Sequence, residues 1–145
     1  MSNEDFILSS LTRTKLKSAG VNVVYFFGSR ASENYFDFSD FDIGIVIDEK
    51  LLAESNLREL YNTLYDILTS EIPDEPDGPK LDISFLQKAN PLLAMKAIRE
   101  VKILYESSIR LRADFEETII NKYDDYRMLQ KEYEEATFRA FENLG

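Results

Sequence analysis

The chain has 145 residues, 44% of them hydrophobic: enough apolar material for one domain with a core, and too much for a disordered chain. It contains no cysteine and no histidine, which excludes disulfides, thiol nucleophiles, Ser-His-Asp triads and zinc sites built from His or Cys. The formal net charge of −10 argues against stable nucleic-acid binding and against an anionic membrane surface.

Any catalysis must therefore use carboxylates, hydroxyls, Lys, Arg, backbone amides or a metal held by oxygen. There is no long apolar run and no signal-peptide layout, so the expectation is a soluble, cytoplasmic protein.

Residues 4–19 have Phe6, Ile7, Leu11, Leu16 and Ala19 at roughly helical spacing, and Gly20 is placed to end that helix in the left-handed region. Residues 21–27 are almost wholly β-branched or aromatic, as in a buried strand, and residues 41–47 form a second such run. Residues 51–69 predict a helix with Leu57, Leu60, Tyr61, Leu64 and Leu68 on one side. Residues 73–79 are dense in turn formers and predict a loop.

A third strand is expected over residues 80–86. Asn90 and Pro91 are an N-cap and first-turn proline for a helix to about residue 100, and residues 101–105 suit a short edge strand. Ser107 or Ser108 caps a long C-terminal helical segment, about 107–143. Helices alternate with strands, so the class is α/β or α+β with a small sheet, in one domain spanning residues 1–145.

Side chains alternate across a strand, so Phe41, Ile43 and Ile45 share one face while Asp40 and Asp42 share the other. Two such carboxylates repel each other unless a proton or cation lies between them, and Mg²⁺ suits that place. In the third strand Leu81, Ile83 and Phe85 face one way and Asp82 the other. If the strands are neighbours, Asp40, Asp42 and Asp82 form a cluster able to hold two metal ions for phosphoryl or nucleotidyl transfer.

Alone, an Asp-x-Asp is most often a solvated strand edge. The combination carries more weight: one strand ends in Gly28-Ser29, ten residues follow, and the next strand opens on Asp40-Phe41-Asp42. Gly28 lets a backbone approach a phosphate, Ser29 offers a hydroxyl and an amide, and Arg30 offers a fixed positive charge.

This pattern resembles the nucleotidyltransferases of the DNA polymerase β superfamily, most closely their minimal single-domain members, over about residues 20–105. The resemblance implies the polymerase β-like fold, a small mixed sheet flanked by helices. It also implies a nucleotide-triphosphate loop at Gly28 and Ser29, a metal-binding pair at Asp40 and Asp42, and a third carboxylate, Asp82, that binds metal and helps activate the attacking hydroxyl.

By the same resemblance the substrate is ATP, with Mg²⁺ or Mn²⁺. The partner is a HEPN-type ribonuclease toxin that receives AMP on a tyrosine, with this chain as its antitoxin. Many such members continue the loop as Arg-Ala-x-Gly, whereas Arg30-Ala31-Ser32-Glu33 lacks that glycine and Asn34-Tyr35-Phe36 is bulky.

Two other functions share part of this pattern. One is transfer to a small molecule, as in aminoglycoside-modifying relatives, which tend to carry a further domain around the acceptor. The other is an antitoxin that acts by binding alone. The aromatic residues between Tyr126 and Phe141 outrun what a small sheet can cover and favour a protein interface.

Overall fold

The computed structural model describes residues 7–27, 41–72, 81–99 and 102–144. Gly28, Ser29, Arg30 and Asp40 lie outside the described residues, as does the loop expected over residues 73–79.

Helix α1 (Ser10–Ser18) begins later than its apolar spacing suggests. Ser9 ends the extended segment before it, and its side chain accepts a hydrogen bond from the Thr12 backbone N–H. The buried positions are Leu8, Thr12 and Leu16, whereas Ile7 and Leu11 are exposed, so the stripe read from spacing is rotated from the true one. Glu71 explains how Thr12 can be buried. Its Oε1 accepts from the Ser9 amide at 3.0 Å, from Ser9 Oγ at 2.6 Å and from Thr12 Oγ1, tying the start of α1 to the end of a distant helix.

Gly20 closes α1 at φ +81°, and a Cβ there would lie 2.6 Å from Leu51 Cδ2. Strand β1 (Val21–Phe27) follows, then β2 (Phe41–Ile47), both with the bounds expected from composition. The helix expected over residues 51–69 is two: α2 (Glu49–Glu54) and α3 (Leu57–Thr69). Asn56 makes the break, because its Oδ1 accepts from the amides of Arg58 and Glu59 and starts a new helix. Asp48 caps α2 in the same way.

Strand β3 (Leu81–Phe85) leads to α4 (Pro91–Arg99), whose Leu93 amide is capped by Asn90 Oδ1 at 2.9 Å. Strand β4 (Lys102–Glu106) and helix α5 (Ile109–Glu142), capped by Ser108, complete the described chain. No helix among the described residues is long and apolar enough to cross a membrane.

The strands form a mixed sheet in the order β3-β2-β1-β4. β1 pairs antiparallel with β2 and β4, and β2 pairs parallel with β3, so β4 is the edge strand that sequence composition suggests. One face packs on α1, α2 and α3 through Val24, Phe26, Ile43, Ile45, Leu64 and Leu68. The other packs on α4 and α5 through Tyr25, Phe27, Val46, Leu86, Ala97 and Phe115. Both central strands are therefore covered on both sides, which is why they read as continuous apolar runs rather than as alternating ones.

Two substitutions test this packing. A Cβ on Gly44 would meet three atoms of the fully buried Leu86 side chain at 2.8 to 3.0 Å. Gly44→Ala is expected to destabilise the fold by about 1–3 kcal/mol, read as a lower urea midpoint at unchanged m-value.

For Glu71, burial pushes the carboxyl up, but hydrogen bonds from Ser9 and Thr12 outweigh it and hold the group below its ordinary value. A depressed folded-state value stabilises above the unfolded one, and that contribution is lost as pH falls through the folded one. Urea titrations of wild type and Glu71→Gln should differ by about 1 kcal/mol near pH ~6, and the gap should narrow toward pH ~3. A gap independent of pH would show that the Glu71 charge does not hold α1.

Candidate active site

The parallel pairing of β2 with β3 runs Phe41 to Leu81, Asp42 to Asp82, Ile43 to Ile83 and Gly44 to Ser84, with no offset. Phe41, Ile43, Leu81 and Ile83 point into the α1–α3 core, so Asp42 and Asp82 emerge together on the opposite face. Adjacent strands lie about 4.8 Å apart, which makes the two carboxylates immediate neighbours. Asp42 is half-buried and Asp82 is exposed. They stand at the sheet end where β1 finishes, because Phe27, the residue before Gly28, pairs with Asp42.

The register behind this juxtaposition is held at the other end of the two strands. The Leu86 amide donates to the Ile45 carbonyl at 3.0 Å. Gln87 then acts as a further strand residue: its Oε1 accepts from the Ile47 amide at 2.9 Å and its Nε2 donates to the Ile47 carbonyl at 2.7 Å. A slip of one residue would turn Asp82 onto the opposite face from Asp42. Sequence reasoning did not find Gln87, since a polar residue just after a strand carries no periodic signal.

Beside this pair lies a second polar group that spacing did not reveal. Tyr25 donates from its hydroxyl to Glu116 Oε1 at 2.8 Å. Arg112 reaches the same carboxylate at 3.3 Å and also Glu106 at the end of β4. Burial pushes the Tyr25 phenol up, and the bond to Glu116 adds to that, so the hydroxyl keeps its proton. The Arg112 guanidinium is held charged by Glu106 and Glu116. The signal in the sequence was a tyrosine inside an apolar strand, whose hydroxyl needs a partner when buried. This group fastens the first turns of α5 to β1 and β4.

Chemically, Asp42 and Asp82 are hard oxygen donors on one face next to the end of β1, Asp82 exposed and Asp42 half-buried. Such donors fit Mg²⁺ or Mn²⁺ better than soft metals. Among the described residues no group of three metal-type side chains gathers, and the third expected member, Asp40, lies outside them. Gly28, Ser29 and Arg30 follow Phe27 in the sequence, and Phe27 pairs with Asp42.

The family described as "Polymerase beta, Nucleotidyltransferase" matches residues 11–110 of the chain. No curated protein matches it significantly by sequence. Among solved structures, one described as a toxin–antitoxin with AMP-PNP is similar at 20% identity and TM-score 0.57, covering 88% of this chain and 94% of that one. A chain of the tri-AMPylated Shewanella oneidensis HEPN toxin in complex with MNT antitoxin is similar at 19% identity and TM-score 0.50, covering 92% of this chain and 99% of that one.

These likenesses establish the fold. The family match spans strands β1 to β4, and with them the sheet end where Asp42 meets Asp82. The chain therefore belongs to the polymerase beta nucleotidyltransferase family, and it is a nucleotidyltransferase.

Proposed function

We propose that the chain transfers AMP from ATP to a hydroxyl of a partner protein, a tyrosine of a HEPN-type ribonuclease toxin, and so serves as its antitoxin in the cytoplasm. The observation that carries this reading is the zero-offset pairing of Asp42 with Asp82 in a nucleotidyltransferase domain. The similar structures support the choice of nucleotide and acceptor, since one is named with AMP-PNP and another with an AMPylated HEPN toxin.

In this reading the chain is one domain, residues 1–145. Asp40, Asp42 and Asp82 would hold two divalent cations. Bound cations would neutralise the triphosphate and the departing pyrophosphate. Gly28 and the amide and hydroxyl of Ser29 cradle the triphosphate, and Arg30 adds positive charge to it.

Asp82, the more exposed of the described pair, accepts the proton of the acceptor hydroxyl. The hydroxyl oxygen bonds to the α-phosphorus, the bond from that phosphorus to the bridging oxygen breaks, and pyrophosphate leaves with the electron pair. The protein's part is to position and neutralise, which is most of the catalysis such transfers need.

The opposed carboxylates make a stability prediction that does not depend on turnover. Like charges on directly neighbouring strand positions are destabilising. Without metal, Asp82→Asn should melt at or slightly above the wild-type temperature. Mg²⁺ with a non-hydrolysable ATP analogue should raise the melting temperature of the wild type and of Asp82→Asn, and scarcely that of Asp42→Asn. Loss of that stabilisation in Asp82→Asn as complete as in Asp42→Asn would overturn the division of labour between the carboxylate that takes the proton and the pair that holds the triphosphate's metal.

Intact-mass analysis tests the transfer itself. The protein, the purified product of its neighbouring reading frame, ATP and Mg²⁺ should yield a partner carrying added AMP. EDTA should stop the reaction, and Asp42→Asn should slow it by two to three orders of magnitude. An inhibited but unmodified partner would favour action by binding alone, and modification of an aminoglycoside instead would favour the small-molecule reading.

A further inference from the structure

Helix α5 has 34 residues and is therefore about 51 Å long, whereas the strands it packs on have five to seven residues and span at most about 23 Å. Its only buried residues are Phe115 and Ile119, and every residue from 127 to 144 is exposed. The exposed part is not uniformly polar. Tyr126, half-buried, and Leu129, Tyr133, Ala136 and Ala140, all exposed, recur at alternating spacings of three and four, in line with Phe115 and Ile119 but separated from them by the exposed Lys122. Leu129 is 67% and Tyr133 74% exposed. Beyond Tyr126 this line of side chains is uncovered among the described residues.

That spacing is the one by which one helix packs along another. Large residues at its start give way to Ala136 and Ala140, where a second helix can approach closely. The stripe is rimmed by Asp125 and Glu132 on one edge and Glu134 on the other. Arg127, near the second edge, lies over the Tyr123 ring at 5.8 Å from its centroid, and Arg99 lies over the same ring at 5.1 Å. A second copy of this chain would bring −10 against −10, so self-pairing is opposed by charge, while a basic protein is attracted.

We infer that the exposed half of α5 is the docking helix for the acceptor protein, and that it pairs along the Tyr126–Leu129–Tyr133–Ala136–Ala140 stripe with an amphipathic helix of a net-basic partner. This rests on the proposed transfer to a protein. It adds where that protein is held: on an arm distinct from the carboxylates, so that partner affinity and chemistry are separable.

The test uses the full chain, the purified neighbour-encoded protein and three variants. Leu129→Gln/Tyr133→Gln alters the stripe in an exposed, helix-compatible way. Met128→Gln and Glu135→Gln alter the opposite side of the same helix. Calorimetry should show the double variant binding the partner at least about thirtyfold more weakly. Its affinity for an ATP analogue with Mg²⁺ should be unchanged, and its loss of transfer should lie in KM for the partner rather than in kcat. The two controls should bind as wild type, and wild-type binding should weaken as salt rises.

Normal partner binding by the double variant, or equal losses in the controls, would overturn the docking stripe while leaving transfer intact. Binding through the stripe without AMP transfer would sink the proposed chemistry and leave the docking. A wild-type dimer in sedimentation that the double variant dissolves would assign the stripe to a second copy instead. Failure of the wild type to bind the partner at all would overturn both.

Discussion

The structure depends most on the parallel, zero-offset pairing of β2 with β3. Parallel strands cannot be joined by a tight turn, so α2, α3 and the residues after them intervene, and nothing local to either strand sets their alignment. It is set by fit. Ile43, Ile45 and Ile83 must all enter the core lined by α3, and Gly44 must leave room for Leu86 on the other face. Gln87 then closes the ladder by serving both backbone groups of Ile47. The meeting of Asp42 and Asp82 is the consequence: two charges placed by the apolar residues between which they alternate. Each strand has a face that must be buried, so the carboxylates have one remaining direction.

The two faces of the sheet serve different ends. The α1–α3 side is a closed core, and Thr12, the one buried polar residue among the described residues, is satisfied by Glu71. The α4–α5 side carries the carboxylates at one end and the Tyr25–Glu116–Arg112–Glu106 group along the root of α5. Tyr25 pairs with Gly44 across β1 and β2, so the anchor of α5 sits only two residues along β2 from Asp42. A half-buried set of this kind, with Arg112, Glu106 and Glu116 still reached by solvent, contributes little net stability. It therefore fixes the direction of the helix root more than it strengthens the fold.

Much of this was legible in the residues. β1 and β2 are apolar and β-branched throughout, because both their faces are covered, and their bounds emerge directly. Alternation alone assigned Asp42 and Asp82 each to the face opposite the apolar residues of its own strand, and the pairing of β2 with β3 made those faces one. What escaped was governed by side-chain capping and by tertiary fit. Asn56 splits a continuous helical pattern because its side chain competes for the amides of the next turn, which periodicity does not register. Ile7 and Leu11 misdirect the reading of α1 because the residue that turns this helix, Glu71, lies 62 positions from Ser9. The register of β3 on β2 was a conditional statement in the sequence, since strand adjacency is a property of the folded sheet.

Charge links the site to the arm. A chain with net charge −10 repels a nucleoside triphosphate, and the sheet end beyond β1 adds Asp42 and Asp82 to that repulsion. In the proposed function the triphosphate can approach only with its divalent cations, so that nucleotide affinity is inseparable from metal. The same excess of negative charge draws a basic protein to the molecule without help. The two substrates are thus recognised by opposite electrostatics: one through a local cluster that must be bridged by cations, the other through the field of the whole chain and an apolar helix stripe. Screening by salt reaches the second far more than the first, because a bridged pair a few ångströms apart lies well within a Debye length of about 8 Å while long-range attraction does not.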